Sequence, residues 1–233
     1  MRDLKALLFD KDGTLVDLDR TWGPAAGFVI QTLAAGDAAA AARLEAVSHF
    51  LPDEARFLPS SPLVAGSAAH FGPLWAQTLD REASADFLSL IDALFAEAGL
   101  RYLTAIGRPR AVLERLHGRG LDLAIVTNDA EANARQQAEA LGLAPFLRAV
   151  HGYDSGFGPK PAPGMVLAVA QAFGHAPADL AVVGDSAYDL AAARGAGARF
   201  ILVRSGPAPV EQLCQDADAV VDSVDDLPAL LAL

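Results

Sequence analysis

Phe9-Asp10-Lys11-Asp12-Gly13-Thr14-Leu15-Val16-Asp17 is the stretch that decides the fold. Just before it runs Leu4-Lys5-Ala6-Leu7-Leu8-Phe9, a short apolar segment that reads as a buried strand. That strand delivers two carboxylates, Asp10 and Asp12, to its C-terminal end, and Gly13 lets the chain turn sharply beyond them. In a parallel α/β sheet the C-terminal strand ends are where ligands bind. Two acids one residue apart repel each other. A cation between them, and a reaction that needs both, accounts for the pair.

Downstream, the hydrophobic pattern predicts a helix over about 108–117 and a strand over Leu121–Val126, followed by Thr127-Asn128-Asp129. A helix then runs to Leu141 and is stopped by Gly142, and Arg148–Val150 reads as a short strand. Gly156 to Gly164 is a Gly/Pro-rich loop carrying Lys160, and Met165–Phe173 is helical. Leu180–Val183 is a buried strand ending at Gly184-Asp185, ahead of a short helix that holds Asp189 and Arg194. Phe200–Val203 and Ala219–Val221 are the last strands. Strands alternating with helices predict an α/β fold, a parallel sheet with right-handed crossovers.

Between the first strand and this alternation lies a helical insert. Pro24 is placed to begin a helix and Gly36 to end it. Asp37 is placed to cap a second helix, with Leu44, Val47 and Leu51 on one face. Prolines 52, 59 and 62 predict an irregular loop from Leu51 to Gly66. Ser84 caps a further helix with Phe87, Leu88, Ile91, Leu94 and Phe95 on its apolar face, and Gly99 closes it. The expected organisation is therefore a core of residues 1–17 and 100–233 and a cap of residues 18–99.

Composition narrows the partners. Hydrophobic residues make up 52% of the 233, enough for a core. Mean hydropathy is +0.27, yet no apolar run approaches the ~20 residues of a membrane helix. A net charge of −11 argues against nucleic acid or an anionic membrane as a general partner. The single cysteine, Cys214, allows no internal disulfide. With no secretory layout at the N-terminus, a cytoplasmic location is expected. Oligomeric state has no signature in the sequence.

Four segments stand in order: DKDGTLVD at Asp10–Asp17, VTND at Val126–Asp129, GPKPAPG at Gly158–Gly164 and VGDSAYDLAAARGAG at Val183–Gly197. This set resembles the motifs of the haloacid dehalogenase-like (HAD) hydrolase superfamily. The insert sits where the helical-cap subfamily has its cap, and the chain is most similar to phosphoglycolate phosphatase-like members. The resemblance implies a Rossmann-like HAD core and a phosphatase acting on a small organic phosphate monoester.

Within that resemblance Asp10 is the carboxylate nucleophile that forms an aspartyl phosphate. Asp12 gives a proton to the leaving oxygen and later takes one from water. The implied cation is magnesium, which prefers oxygen ligands. Its implied ligands are the Asp10 carboxylate, the main-chain carbonyl of Asp12 and Asp185, with Asp189 orienting a metal-bound water. The Thr127 hydroxyl and the Asn128 backbone amide hold the transferring oxygens, and Lys160 neutralises phosphate and nucleophile. The cap excludes water and selects the leaving group. Lys11 occupies a position that is commonly apolar in the family. In an extended segment its side chain faces away from both acids, and it reads as a bystander; its departure from the family pattern alternatively marks a contact behind the site or with the cap.

Asp12 argues against carbon–halogen cleavage, because a departing halide needs no proton. Residues 18–99 contain no lysine, which closes a Schiff-base route through the cap. A sugar phosphomutase of the same superfamily and a non-catalytic binding protein on this fold remain as alternatives. A signalling receiver domain is disfavoured, since it places its phospho-acceptor on a different strand from its acidic pair. The five histidines pair at no metal-ligand spacing. His70 and Arg56 are candidate substrate contacts in the cap, with a surface role equally compatible. Trp22 is expected to pack the hinge.

Overall fold

The computed structural model describes residues 1, 3–58, 60–63, 68–207 and 210–232. In chain order, β1 (Ala6–Phe9) leads to α1 (Leu18–Ala34), α2 (Ala38–Val47), β2 (Phe50–Leu51), β3 (Arg56–Phe57), α3 (Ala68–Thr78) and α4 (Ala85–Arg101). Next come α5 (Pro109–His117), β4 (Asp122–Val126), α6 (Glu131–Ala140), β5 (Ala149–His151) and α7 (Gly164–Phe173). The chain closes with β6 (Leu180–Gly184), α8 (Ala187–Ala196), β7 (Arg199–Val203), β8 (Ala219–Val221) and α9 (Leu227–Leu230). It divides into two units, residues 1–17 with 105–233, and residues 18–104.

The first unit is built on a six-stranded sheet in the order β5-β4-β1-β6-β7-β8, with every pairing parallel. β1, β4, β6 and β7 are continuous apolar runs because helices cover both faces of a parallel sheet. On one face Leu8, Val126, Val182 and Leu202 pack with Met165, Val169 and Ala192. From β1 the chain continues to β4 on one side and later to β6 on the other. The sheet thus changes winding direction at β1, and a crevice opens beyond the carboxyl ends of such strands. Phe9 is in register with Ile125 of β4 and Val183 of β6. Asp10, Thr127 and Asp185 therefore leave three neighbouring strands at nearly the same level.

The second unit is helical around Val29, Ile30, Leu44, Phe71, Trp75 and Ile91. The Trp75 indole donates to Ser48 Oγ at 2.8 Å, which satisfies its N–H inside an apolar core. Asp37 caps α2 through the amides of Ala39 and Ala40, and Ser84 caps α4 through Phe87.

Three expectations for this unit need correction. Pro24 lies inside α1, which begins at Leu18. The buried face of Ala25, Ala26, Val29, Ile30 and Leu33 continues from Thr21, and its burial outweighs one missing amide donor. The loop from Leu51 opens with a hairpin in which Phe50 pairs with Phe57 and Leu51 with Arg56. The two phenyl rings, 5.5 Å apart, give that short ladder its apolar contact. Of the residues used for that loop, Pro59 and Gly66 lie outside the described ones. Gly99 is buried within α4, which runs on to Arg101, where the Arg101 guanidinium lies over the Phe28 ring at 5.4 Å. Trp22 packs in this unit's own core, 6.4 Å from Phe95.

Candidate active site

The sequence after β1 turns back at once. Lys11 O accepts the amides of Thr14, Leu15 and Val16, at 3.3, 2.8 and 2.9 Å. Gly13 enters this turn at φ +86, where a side chain would be strained, and a Cβ there would sit 2.5 Å from Asp185 Oδ2. Gly206, just after β7, approaches the same carboxylate from another side, and any Cβ on it would collide with Asp185 Oδ2. Two backbone segments thus press on Asp185, and only glycine fits at either.

Lys160 reaches into this space. Its Nζ donates to Asp10 Oδ1 and Asp189 Oδ1, each at 2.6 Å. Asp10, Lys160, Asp185 and Asp189 are all buried. The loop is held by Asn128, whose Nδ2 donates to Lys160 O at 2.9 Å while its Oδ1 accepts Lys160 N at 2.8 Å. Asp189 caps α8 reciprocally with Ser186: its Oδ2 accepts Ser186 N at 3.1 Å and Ser186 Oγ at 2.5 Å. Both Asp189 oxygens are therefore engaged by protein donors. Thr127 Oγ1 accepts Asp129 N at 3.1 Å, which leaves its hydroxyl proton to donate.

The electrostatics follow from crowding in a dry space. Burial, against the pull of Lys160, pushes the Asp10 carboxyl up to about 7. Burial together with the charges of Asp10 and Asp189 pushes Asp185 up to about 8. Burial opposes the charge on Lys160, but Asp10 and Asp189 outweigh it and raise its pKa above the usual lysine range.

Carboxylate oxygens from Asp10, Asp185 and Asp189 lie within 4.8 Å of one another. With all three buried carboxylates ionised, one ammonium leaves an excess of two negative charges. An oxygen-only donor set with that excess fits a hard divalent cation. The residues present therefore suit a magnesium ion.

Lys11 departs from expectation. β1 ends at Phe9, so the alternation of sides that holds within a strand does not extend to Lys11. Its ammonium turns to Asp12 Oδ2 at 2.7 Å, and also meets Asp129 Oδ2 at 3.0 Å and Gln137 Oε1 at 2.8 Å. Burial works against the charge, but Asp12 and Asp129 outweigh it and raise the Lys11 pKa. For Asp129, burial outweighs Lys11 and pushes its carboxyl up.

The structure thus gathers Asp10, Lys160, Asp185 and Asp189 into one cluster, with Thr127 and Asn128 on the adjoining strand end and Asp12 on the turn. In the other unit, Arg56 is paired with Glu54 at 2.7 Å and His70 is exposed on α3. Sequence reasoning missed Asp129, Gln137, the clamp made by the Asn128 side chain, and Gly206. Asp129 was visible as the last residue of VTND, and Gly206 as the glycine just beyond a strand. Gln137 carried no signal.

The family model for haloacid dehalogenase-like hydrolases matches residues 4–197. The phosphoglycolate phosphatase of Chromobacterium violaceum is 31% identical over 238 residues, covering 99% of this chain and 98% of its own. A second phosphoglycolate phosphatase, plasmid-borne in Cupriavidus necator, is 35% identical over 157 residues, covering 67% of this chain and 68% of its own. Among solved structures, a HAD family hydrolase from Deinococcus radiodurans with bound phosphate and sodium superposes with a TM-score of 0.68 at 24% identity. That match covers 100% of this chain and 96% of the other, and at such identity it speaks to the fold alone.

Proposed function

Because the chain belongs to the haloacid dehalogenase-like hydrolase family, a phosphatase by its relatives, we propose that it is a magnesium-dependent hydrolase of small organic phosphate monoesters, phosphoglycolate-like in preference, acting through an aspartyl phosphate. The observation that carries this is Lys160 Nζ at 2.6 Å from both Asp10 and Asp189, inside a cluster of three carboxylates. That arrangement suits one divalent cation and one phosphate.

In the first step the Asp10 carboxylate forms a bond to phosphorus as the bond to the leaving oxygen breaks, and Asp12 gives its proton to that oxygen. Lys160 offsets the charge that gathers on the phosphoryl oxygens, while the Thr127 hydroxyl and the Asn128 backbone amide donate to them. In the second step water attacks the aspartyl phosphate, Asp12 takes its proton, and Asp10 is freed. A magnesium ion bound by Asp10, Asp185 and the Asp12 carbonyl would supply positive charge to the phosphoryl oxygens and let the carboxylates stay ionised together. Asp189 holds Lys160 and the first turn of α8 from behind. With an overall charge of −11 and three carboxylates in this cluster, attraction of a small anionic substrate would depend on Lys160 and the bound cation.

The test is phosphate release across a panel of phosphate esters, phosphoglycolate included, with and without magnesium, for the native chain and Asp10→Asn. Magnesium-dependent release by the native chain, cut by at least about a thousandfold in Asp10→Asn, is expected. Release that persists in Asp10→Asn, or that ignores magnesium, would overturn the mechanism.

A further inference from the structure

We propose that Lys11 is a positioning residue for Asp12: its ammonium, seated between Asp129 and Gln137, holds the carboxylate that donates and recovers the proton in one orientation. This rests on the phosphatase reading above, in which Asp12 is the acid and base.

The argument starts from how unusual the seat is. Lys11 is 1% exposed, with a side chain long enough to reach solvent if nothing held it. Instead Nζ contacts Asp12 Oδ2 at 2.7 Å, Gln137 Oε1 at 2.8 Å and Asp129 Oδ2 at 3.0 Å. Two of these partners are themselves anchored to one helix. Gln137 is fully buried on α6. Asp129 stands just ahead of that helix, where its Oδ1 accepts Ala130 N at 2.7 Å and its Oδ2 accepts Asn133 Nδ2 at 2.6 Å. The ammonium is thus fixed from the α6 side.

What it fixes is Asp12, which sits past the end of β1 on a tight turn and has two side-chain torsions to lose. Its side chain keeps 20% exposure, so it stays open to a proton acceptor. The same cage reaches the phosphate side, since Asp129 N donates to Thr127 Oγ1 at 3.1 Å. Proton donor and phosphoryl-holding hydroxyl are therefore set by one connected group of residues, Lys11, Asp129 and Thr127. Misplacing a reacting group by ~1 Å costs about a hundredfold in rate, which sets the scale of what such a seat is worth.

The role makes a distinctive demand on leaving groups. When the bond from phosphorus to the leaving oxygen breaks, an alkoxide needs the Asp12 proton, whereas 2,4-dinitrophenolate departs without one. Single-turnover release of the first product is therefore read for an alkyl phosphate and for 2,4-dinitrophenyl phosphate, in native protein and in Lys11→Met. The expected result is a loss of about ten- to a hundredfold on the alkyl ester, less than about threefold on the dinitrophenyl ester, and KM for the alkyl ester within about twofold of native. Lys11→Met strands the Asp129 charge, so Lys11→Met/Asp129→Asn, which removes cation and counter-charge together, and Gln137→Leu, which keeps every charge, are measured beside it after a melting curve shows them folded. The same contrast between esters in any folded variant supports the proposal. Equal losses on both esters, or no loss on the alkyl ester, overturns it while the phosphatase reading stands. Native protein that turns over no ester at all overturns both.

Discussion

The crevice holds two buried lysines, and each bridges two carboxylates. Lys160 lies 2.6 Å from Asp10 and 2.6 Å from Asp189; Lys11 lies 2.7 Å from Asp12 and 3.0 Å from Asp129. In both, burial opposes the ammonium and neighbouring carboxylates outweigh it, so both stay charged. The surroundings differ. Beside Lys160 stands a further carboxylate, Asp185, so charge is left over that protons meet without metal and a bound cation would meet with it. Beside Lys11 a further contact is the neutral amide of Gln137, at 2.8 Å. The same ion pair leaves an opening for a ligand in one place and completes a scaffold in the other. The count of charges around each pair, rather than the pair itself, decides which.

The largest test of this contrast is Lys160→Met. It should cut turnover by about a hundred- to a thousandfold, because a donor to the developing phosphoryl charge is lost. Removing one partner of a buried ion pair should also cost about 3–5 kcal/mol of stability, read by denaturant titration. Lys11→Met losing as much on every ester would erase the distinction between the two lysines.

Next in size is the response to pH without metal. The Asp10 and Asp185 carboxyls are pushed up to about 7 and 8 in the folded protein, against about 4 in an unfolded chain. Between those values the folded state binds more protons than the unfolded one, so stability falls as pH rises. In chelator, the melting temperature should drop from pH 5 to pH 8, and saturating magnesium should remove most of that drop. Asp185→Asn should flatten it as well. A chelated native protein whose melting temperature stays level or climbs over that interval would show that the Lys160 side carries no excess charge.

The smallest effect is expected at Ser186→Ala. The α8 cap loses its reciprocal partner, at about 1 kcal/mol by melting, and Asp189 loses one of its fixing donors. Turnover should fall modestly, because Lys160 still reaches Asp10.

Much of this was readable from the chain alone, for a physical reason. Asp10, Thr127 and Asp185 each follow a short apolar run, and in a parallel sheet such runs align their ends. Lys160 was readable through the resemblance of GPKPAPG to a family motif, in a loop whose glycines and prolines predict no regular element. What escaped were features that depend on neighbours remote in sequence. Side-chain parity ends with the strand, so the direction of Lys11 is set by α6 and not by β1. Gln137 is chemically unremarkable until Lys11 meets it. Pro24 and Gly99 look like helix boundaries locally, but the buried faces around them continue the helices. The pairing of Phe50 with Phe57 spans two residues per strand, too few for any period to show.

Asp189 serves two masters: it closes the first turn of α8 and it seats Lys160. Assembly of the catalytic centre and completion of that secondary-structure element are consequently a single event. A substitution at Asp189 would therefore loosen the first turn of that helix and the lysine's seat at once.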